Sequence, residues 1–461
     1  MIDDTIAAIS TALNEAGIGI IRISGNDALK IADKVYVTKD MKHKLLSFVS
    51  HTIHYGFIVD ENGNTVDEVM VSVMKAPNSF TREDVVEINC HGGILVCRKI
   101  LDLVIKSGAR LSDPGEFTKR AFLNGRIDLS KAEAVMDLIS SKSSSSLKNS
   151  LKFLKGDLLN RIKFLREKLL YEIAFIESAI DDPEHFSMDG YPEKLSGIIN
   201  EVSSDINSLV SSFDKGRLIK EGIKTVIVGK PNVGKSSLLN LLCGEDKAIV
   251  TNIAGTTRDV IETDVVFHDI TLNLVDTAGI RETDDVVENI GVNKAKQFAA
   301  DADLIILLLD CSENLSEEDY EIIDFIKNKK VIVLLNKSDL LSVYDSESVR
   351  KLFDKDVEII NFSAVSGLGE DVLKDTINNM FFNGDISSDD EIYITRKRQV
   401  DLLNDALLSL SHVLESIESG LPEDFYSIDL LNAYSSLGMI IGEEVDDDVV
   451  DEIFSKFCMG K

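Results

Sequence analysis

The sequence predicts a multidomain protein that combines α/β and all-α parts, with a doubly wound α/β domain inserted into a helical domain. Three observations favour this fold class. A glycine-rich loop at residues 229–236 lies between a strand-like and a helix-like segment. Apolar residues recur at helical spacing both before and after that central region. The first part of the chain, to about residue 124, mixes strand and helix patterns and indicates a separate α+β domain.

Length and charge restrict the classes of protein to which this chain can belong. A chain of 461 residues is longer than one hydrophobic core ordinarily accommodates, so several domains are predicted. A formal net charge of −30 argues against binding nucleic acid through the overall field, so contact with RNA requires a local basic patch or a basic partner. The acidic first residues predict no signal peptide, and the run Leu304–Leu309 is too short to span a bilayer. We therefore expect a cytoplasmic protein without membrane contact.

The five cysteines predict reduced thiols rather than a disulfide framework. They are odd in number and contain no C-x-x-C pair, which is typical of a protein that stays in a reducing compartment. They are Cys90, Cys97, Cys243, Cys311 and Cys458.

The N-terminal region, from Thr5 to about residue 124, is predicted to be mixed α/β. Strands are expected at Gly19–Ile23, Asp67–Met74 and Asp84–Ile88, with helices over residues 94–105 and after Asp113-Pro114-Gly115. His91, which precedes two glycines, has two interpretations. It is either a catalytic histidine or a turn histidine that caps the following helix, and residue statistics favour the second.

Two helical regions flank the central domain. In the first, which covers residues 129–213, we interpret the serines at 143–146 as the solvated face of a continuous helix, because the apolar period continues on both sides. Asp181-Asp182-Pro183 breaks that run, and Gly420-Leu421-Pro422 ends the helix that carries the second apolar stripe. The two apolar stripes are Leu147, Leu151, Leu154, Leu158, Ile162, Leu165 and Leu169, and Val400, Leu403, Leu407, Leu410, Leu414 and Ile417.

We expect these two helical regions to pack together with the central domain inserted between them, since insertion is tolerated where chain ends lie close on a surface. The predicted domain limits are 1–124, 125–216, 217–383 and 384–461.

The central loop Gly229–Ser236 has the spacing G-x-x-x-x-G-K-[ST] of a phosphate-binding loop. Its glycines allow backbone N–H groups to turn towards an anion, and the following helix N-terminus adds partial positive charge. Lys235 is expected to reach the β and γ phosphates. The hydroxyl of Ser236 is expected to bind Mg²⁺, which prefers oxygen ligands.

Three further elements follow in order at the carboxyl ends of strands. Leu272–Gly279 ends in D-x-x-G, where Asp276 is expected to bind Mg²⁺ through water and the Gly279 N–H to sense the γ-phosphate. Val331–Asp339 ends in N-K-x-D, whose aspartate can accept two hydrogen bonds from the guanine edge that adenine lacks. A backbone N–H at Ser363-Ala364 can meet guanine O6. The four elements together predict a GTPase domain.

The residue after D-x-x-G indicates a different hydrolytic apparatus from that of Ras-like enzymes. Ras-like enzymes place a water-orienting glutamine there, whereas this chain has Ile280. An acid must therefore orient the water, and the candidates are Glu282, Asp284, Asp285 and Glu288. Asn232, together with carbonyls of residues 251–257, can hold a monovalent cation beside the phosphates. Asn232 can equally be a loop residue that merely tolerates the backbone conformation.

The motifs resemble a known group of GTPases. The stretches GKPNVGKSS at 229–237, TNIAGTTRD at 251–259 and DTAGIRE at 276–282 resemble the TrmE–Era–EngA group. The flanks narrow the resemblance to the family of the tRNA modification GTPase MnmE, also called TrmE. They are TIAA at 5–8, GIGIIRISG at 17–25, PGEFTKRAFLN at 114–124 and FCMGK at 457–461. The resemblance covers essentially the whole chain, and the terminal C-x-G-K is its most distinctive part.

The resemblance implies a tetrahydrofolate-binding N-terminal domain that forms a homodimer, a split helical domain and an inserted G domain. Family members work with MnmG, an FAD protein, in a heterotetramer or larger assembly. Together they add an aminomethyl or carboxymethylaminomethyl group to C5 of the wobble uridine, position 34, of certain tRNAs. GTP, Mg²⁺, K⁺ and 5-formyl- or methylene-tetrahydrofolate are the implied ligands.

The resemblance also assigns roles to residues. The residues that hold the folate derivative in the family correspond to Arg22, Glu87 and Arg126. The last is often lysine in the family, so Arg126 keeps the positive charge but changes the geometry of the hydrogen-bond donors. The K⁺ ligands fall on Asn232, Thr251, Ile253 and Thr256, the Mg²⁺ ligands on Ser236 and Thr257, and the water-activating acid on Glu288. The nucleotide-binding residues are Asn232, Val233, Gly234, Lys235, Ser236, Ser237, Thr251, Asn252, Ile253, Ala254, Gly255, Thr256, Thr257, Asp276, Thr277, Ala278, Gly279, Asn336, Lys337, Asp339, Ser363 and Ala364.

The C-terminal tail has two interpretations. By the resemblance it approaches the folate site, where Cys458 acts as a thiol nucleophile or acid and Lys461 pairs with an anionic folate tail. Otherwise Cys458 is a buried small hydrophobic residue, as free cysteines most often are.

Two other classes of function remain as alternatives. An Era-like ribosome-assembly GTPase would carry a basic KH module after the G domain. The segment after residue 385 instead is predicted to be helical and contains the acidic run at 443–448. The other alternative is a purely regulatory GTP-binding switch.

Overall fold

The computed structural model describes residues 4–39, 44–182, 184–247, 262–275, 301–382 and 391–460. Its strands are β1 (Ile6–Ile9), β2 (Ala16–Ser24), β3 (Tyr36–Thr38), β4 (Thr52–Val59), β5 (Thr65–Met74), β6 (Val85–Gly92), β7 (Arg110–Leu111), β8 (Ile223–Val228), β9 (Glu262–Phe267), β10 (Ile270–Val275), β11 (Leu304–Asp310), β12 (Val331–Asn336) and β13 (Glu358–Asn361). Its helices are α1 (Ala28–Val35), α2 (Ile94–Lys106), α3 (Glu116–Leu123), α4 (Leu129–Ser140), α5 (Ser144–Lys155), α6 (Asp157–Asp181), α7 (Tyr191–Ser211), α8 (Phe213–Glu221), α9 (Lys235–Lys247), α10 (Glu317–Ile326), α11 (Ser346–Arg350), α12 (Glu370–Phe382), α13 (Lys397–Glu418), α14 (Glu423–Ile441) and α15 (Asp447–Ser455).

The chain divides into two compact units. The first consists of Met1–Met136, Phe153–Leu195 and Leu408–Lys461, and the second of Asp137–Lys152 and Ser196–Leu407. Within the described ranges, no helix has both the length and the apolar character needed to cross a membrane.

The first unit contains a seven-stranded sheet in the order β3-β4-β5-β6-β2-β1-β7. Its neighbouring strands are antiparallel except β1 and β7, which are parallel. Helices α1 and α2 cover one face, where their apolar side chains share a core with alternate strand residues such as Ile21, Val71 and Ile88. The three predicted strands are therefore confirmed as β2, β5 and β6, and each extends beyond its predicted limits.

The other face of this sheet exposes large apolar side chains. Ile53, Tyr55 and Met70 are each more than two-fifths exposed. Tyr55 and Met70 are directly opposite each other on β4 and β5, and Ile53 follows on the same face because side chains alternate along a strand.

The helical part of the first unit is held by a buried arginine between α6 and α14. The Arg166 guanidinium lies 3.9 Å from the centroid of the Tyr434 ring, and its Nε donates to the Tyr434 carbonyl at 3.2 Å. It also forms an ion pair with Glu443. Gly438 leaves the room that the guanidinium needs, since a Cβ there would lie 3.0 Å from it. The predicted packing of the two helical regions is thus confirmed for α6 and α14.

The prediction of one continuous helix through the serine cluster is wrong. Helix α4 ends at Ser140 and α5 begins at Ser144, and Ser143 and Ser146 are buried rather than solvated. The Ser143 hydroxyl accepts a hydrogen bond from the Ser146 N–H at 3.2 Å, which is how a helix start is capped. The apolar stripe is also divided, because Leu147 and Leu151 on α5 are exposed while the buried residues from Leu158 onwards belong to α6.

The second unit is built on a six-stranded sheet in the order β13-β12-β11-β8-β10-β9, in which all neighbours are parallel except β9 and β10. Alternate residues of β11 enter two different cores: Ile306 packs with α9 and α12, and Leu307 packs with α10. A sheet buried on both faces explains the uninterrupted apolar runs of β11 and β12. This is the predicted doubly wound arrangement, and its strand ends position the candidate site.

Candidate functional site

The phosphate-binding loop connects β8 to α9, as predicted. Strand β8 ends at Val228 and helix α9 begins at Lys235. Asn232 and Gly234 have positive φ values of 62° and 101°. Asparagine is one of the few side chains that tolerate this region, so the loop conformation accounts for both residues. The Asn232 and Ser236 side chains are exposed at the loop and at the first turn of α9.

Lys235 is held against this loop by two carbonyl groups. Its Nζ donates to the carbonyls of Gly229 at 2.6 Å and Lys230 at 2.8 Å. Burial lowers the pKa of Lys235, and an anion bound in the loop would act in the opposite direction. The ammonium is therefore fixed beside the backbone that is predicted to surround the phosphates.

Asn336 joins three of the predicted motifs. Its Nδ2 donates to the Val233 carbonyl at 2.7 Å, and its Oδ1 accepts from the Ala364 N–H at 3.0 Å. The side chain is buried. The structure thus brings the phosphate loop, N-K-x-D and the Ser363-Ala364 loop together at one side-chain amide. Its NH₂ group donates one of the two bonds, and its oxygen accepts the other.

An aspartate that the sequence analysis did not identify holds the N-K-x-D lysine. Asp310 ends β11 and pairs with Lys337 Nζ at 2.5 Å. Burial acts to raise the pKa of Asp310, but the Lys337 ion pair and hydrogen bonds from Ser312 outweigh it and lower that pKa. Asp310 and Asn336 are register partners on neighbouring parallel strands, so an aspartate that ends a buried strand was the available signal.

The residues predicted to recognise the base follow β12 and β13, as expected. Asp339 lies in the loop after β12 and is exposed. The preceding residue, Ser338, donates through both its N–H and its hydroxyl to the Phe362 carbonyl. The N–H groups proposed for guanine O6 are donated within the protein: Ser363 N–H to Leu368 and Ala364 N–H to Asn336. A contact to O6 from either of them requires sharing or releasing one of these bonds.

The remaining nucleotide and metal ligands predicted from the sequence lie outside the described residues. They are Thr251, Asn252, Ile253, Ala254, Gly255, Thr256, Thr257, Asp276, Thr277, Ala278, Gly279 and Glu288.

An Asp339→Asn variant is expected to lose GTP preference. The substitution replaces one of the two acceptors facing the guanine edge by a donor, so guanine loses a hydrogen bond while xanthine gains one. Competition binding of GTP and xanthosine triphosphate measures the change, with a shift of at least about tenfold towards the xanthosine nucleotide expected. Asp375→Asn, an exposed aspartate on α12, is the control. Retained strong GTP preference would remove Asp339 from the base edge.

In the first unit, Arg22 and Glu87 form a cross-strand ion pair. They are register partners on β2 and β6, and Arg22 Nε lies 2.8 Å from Glu87 Oε1. Both side chains are about one-fifth exposed. The Arg22 guanidinium lies 5.7 Å from the centroid of the Phe117 ring. A donor, an acceptor and an aromatic face are thus presented side by side.

Arg126, the third residue predicted for folate, lies on a second aromatic ring of the same cluster. Its guanidinium is 4.9 Å from the centroid of the Phe80 ring, and its Nη1 donates to the Phe80 carbonyl at 3.2 Å. Phe80 packs against the small core that contains Phe117. The sequence analysis did not single out Phe80, although it follows the strand-end turn near the predicted residues.

The C-terminal tail is bonded to the N-terminal domain. The Gly115 N–H donates to the Cys458 carbonyl at 3.2 Å. The Gly460 carbonyl accepts from the Ser10 hydroxyl at 3.1 Å and from Arg22 Nη1 at 3.4 Å. Cys458 itself is exposed, so the interpretation of Cys458 as a buried hydrophobic residue is wrong. Lys461 lies outside the described residues.

The interpretation of His91 as a helix-capping turn residue is also wrong. His91 lies within β6, and Gly93 occupies the N-cap of α2. Both Asp67 oxygens serve His91: Oδ2 accepts its N–H at 2.8 Å, and Oδ1 lies 2.7 Å from Nδ1. This carboxylate raises the pKa of His91. The imidazole is therefore oriented by a neighbouring strand.

Comparison with known proteins gives matches over nearly the whole chain. The family model "MnmE helical domain" matches residues 129–458, and "GTP-binding protein TrmE N-terminus" matches residues 5–126. A tRNA modification GTPase MnmE of Lachnoclostridium phytofermentans is 54% identical to this chain, and the match covers 99% of each of the two chains. Proteins of the same name from Thermoanaerobacter pseudethanolicus and Bacillus pumilus are 50% and 48% identical, with at least 99% of each chain covered. The solved structure of Aquifex aeolicus Era bound to GDP.AlF4- matches at 32% identity over 41% of this chain and 66% of that one, with a TM-score of 0.25.

Proposed function

Because the chain belongs to the MnmE family of tRNA modification GTPases, we propose that it couples GTP hydrolysis to modification of the wobble uridine of tRNA. The chain is a GTP hydrolase. In the proposed reaction it works with MnmG to install an aminomethyl or carboxymethylaminomethyl group at C5 of uridine 34. Two features of the chain support the proposal together. Asn336 joins the loops of the candidate nucleotide site, and the C-terminal tail is bonded to Arg22. The domain limits 1–124, 125–216, 217–383 and 384–461 belong to the same proposal.

On the nucleotide side, Lys235 is proposed to bind the β and γ phosphates, and its Nζ beside the Gly229 and Lys230 carbonyls supports this role. Ser236, whose side chain is exposed, is proposed to bind Mg²⁺ together with Thr257. Asn232 offers an exposed amide to K⁺, together with Thr251 and carbonyls further along. When bound, the two cations neutralise charge that develops on the phosphates during hydrolysis.

On the folate side, Arg22 and Glu87 fit the polar edge of a heterocycle. The Arg22 guanidinium donates and the Glu87 carboxylate accepts, and partial exposure leaves both accessible. Phe117 and Phe80 lie under the two arginines, so Arg126 is proposed to approach the same ligand from the second ring. The folate derivative supplies a one-carbon unit when bound. Cys458 and Lys461 are proposed to complete this site from the tail.

A homodimer is proposed to form through the exposed face of the N-terminal sheet. Ile53, Tyr55 and Met70 form an apolar group on that face, where polar residues are otherwise expected. Burying them against a second copy removes their apolar surface from water, which supports dimerisation through this sheet.

No observation favours the Era-like alternative. In the described part of residues 391–460 the secondary structure consists of helices α13, α14 and α15, whereas a KH module contains strands. The overall charge of −30 also assigns most of the tRNA contact to a partner or to a local basic patch.

Loss of the gene tests the proposed function. Total tRNA from a deletion strain is expected to lack the C5 modification at uridine 34, and the wild-type gene is expected to restore it. A Lys235→Ala gene should fail to restore it, because the phosphates lose their cation. Normal uridine 34 in the deletion strain would refute the role in modification while leaving GTP hydrolysis in place.

GTP hydrolysis is expected to depend on K⁺. An ion held by Asn232 and loop carbonyls would supply the positive charge that an arginine finger supplies in other GTPases, and the smaller Na⁺ would fit a K⁺ site poorly. Exchanging K⁺ for Na⁺ should therefore slow steady-state hydrolysis by at least about tenfold at constant ionic strength. Equal rates in the two salts would exclude the cation site.

Glu288 is expected to activate the attacking water. A Glu288→Ala variant should slow hydrolysis about a hundredfold, which is typical for loss of a general base. GTP affinity should change little, because the acid acts on water and not on the nucleotide. Single-turnover rates and a separate binding titration distinguish the two effects, with Glu282→Ala as the matched comparison. Unchanged turnover would transfer the role to another acid.

A further inference from the structure

The turn between β9 and β10 in the second unit has an unusual composition for its geometry. The turn residues are His268 and Asp269, with positive φ values of 47° and 72°, between the paired residues Phe267 and Ile270. A two-residue turn of this kind favours Asn-Gly or Asp-Gly, and a histidine there is strained. Strain of this kind persists where the surrounding structure holds the residues in place. The contacts of their side chains identify what holds them.

Both turn residues bind elements outside the hairpin. Asp269 Oδ1 accepts the Ser144 N–H at 2.6 Å, and Asp269 Oδ2 accepts the Ser145 hydroxyl at 3.1 Å. The carboxylate therefore caps the N-terminus of α5, where the helix dipole favours negative charge. On the other side of the turn, His268 Nε2 lies 3.2 Å from Glu370 Oε1.

A second contact joins the same two segments along the strand. Lys142, just before α5, forms an ion pair with Asp264 on β9. Both side chains are less than one-third exposed, so the pair is shielded from solvent more than a surface ion pair. Residues 142–145 are consequently attached to the hairpin at its turn and at the middle of one strand.

The rest of the segment Asp137–Lys152 is also fixed within the second unit. Asp137 accepts from Arg396 Nη2 at 2.5 Å and lies 3.0 Å from Lys220 Nζ. Asn149 exchanges two hydrogen bonds with the backbone of Tyr393. Ser144 and Ser145 thus join this segment to the hairpin, while the buried Ser143 caps the start of α5 by accepting the Ser146 N–H.

The hairpin of β9 and β10 lies in the chain between two segments that carry predicted nucleotide and cation ligands. Strand β9 follows residues 251–261, which contain predicted ligands of both cations, and β10 precedes Asp276 and Gly279. The two strands are paired along their whole length, from Glu262 with Val275 to Phe267 with Ile270. A displacement of the strand ends that adjoin these predicted ligands would therefore move the turn, about 20 Å away at ~3.4 Å per residue.

We propose that the Lys142–Asp264 pair and the Asp269 cap couple the nucleotide state of the second unit to the segment 137–152. In this arrangement the hairpin moves as one rigid element, and Asp264 and Asp269 are positioning residues that act through α5. The chain runs directly from both ends of this segment, at Met136 and Phe153, into residues of the first unit.

Hydrogen exchange of the full-length protein tests this coupling. In the wild type, amides of residues 144–150 should exchange at rates that differ by at least about threefold between the GDP state and a non-hydrolysable GTP analogue with Mg²⁺ and K⁺. Lys142→Asp and Asp264→Lys should each abolish the difference, because each places like charges together. The double variant restores opposite charges and should recover the difference. Asp375→Lys on α12 controls for charge reversal as such.

The outcomes separate the possibilities. No nucleotide dependence in the wild type, or full dependence in both single variants, would overturn the proposal. If a single variant fails to fold, Asp269→Asn replaces it, since the amide keeps one acceptor for Ser144 and should reduce the difference. The measurement requires GTP binding alone, so its failure and a failure of the tRNA proposal are distinguishable.

Discussion

A Gly234→Ala variant is expected to lose at least about a hundredfold in GTP affinity, because two effects act at one position. The φ of 101° is unfavourable for any residue with a Cβ. A Cβ at this position would also overlap the Asn336 side-chain amide, which bonds the loop at Val233. Alanine therefore either displaces Asn336 or rearranges the phosphate loop. Titration with a fluorescent GTP analogue measures the loss.

Gly197→Ala is the matched control for this variant. Gly197 lies in α7, and a Cβ there would meet no atom within 4 Å. Alanine in a helix is favoured over glycine, so stability should rise by about 0.5–1 kcal/mol while GTP affinity stays unchanged. If Gly234→Ala binds GTP within about threefold of the wild type, the loop is not constrained as the structure indicates.

A Cys458→Ser variant is expected to lose tRNA modification by about a hundredfold while GTP hydrolysis stays near the wild-type rate. Cys458 is exposed, and the tail is bonded to Gly115 through the Cys458 carbonyl and to Ser10 and Arg22 through the Gly460 carbonyl. Serine preserves the size and the backbone contacts, so the change removes only the chemistry of the sulfur. The nucleotide residues belong to the other unit, which explains why hydrolysis should be spared.

Both activities must be measured on one purified preparation of this variant. Full modification would limit Cys458 to a structural role in the tail. Joint loss of both activities would indicate misfolding. Met459→Ala is a suitable control, because Met459 is an exposed neighbour in the same tail and has no thiol.

Much of this protein was determined by local sequence. The spacing of Gly229, Gly234 and Lys235 predicts the phosphate loop, because these residue types are required wherever backbone turns around an anion. Alternation predicts β5, and the uninterrupted apolar run before N-K-x-D predicts β12, since side-chain periodicity follows directly from strand geometry. The GTPase fold class and the order of its motifs follow from such patterns.

Other features were decided only by tertiary structure. Asn336 bonds Val233, 103 positions away, and Arg22 bonds Gly460, 438 positions away, and no periodicity relates such residues. Asp310 was missed because its role depends on Lys337, which directly follows the neighbouring strand β12. The serine cluster was misinterpreted for the same reason: composition alone does not distinguish solvated serines from serines at a helix start that donate to a distant carboxylate, here Asp269. Local patterns reflect the backbone preferences of a few neighbouring residues, whereas burial and pairing depend on which distant segment packs against them.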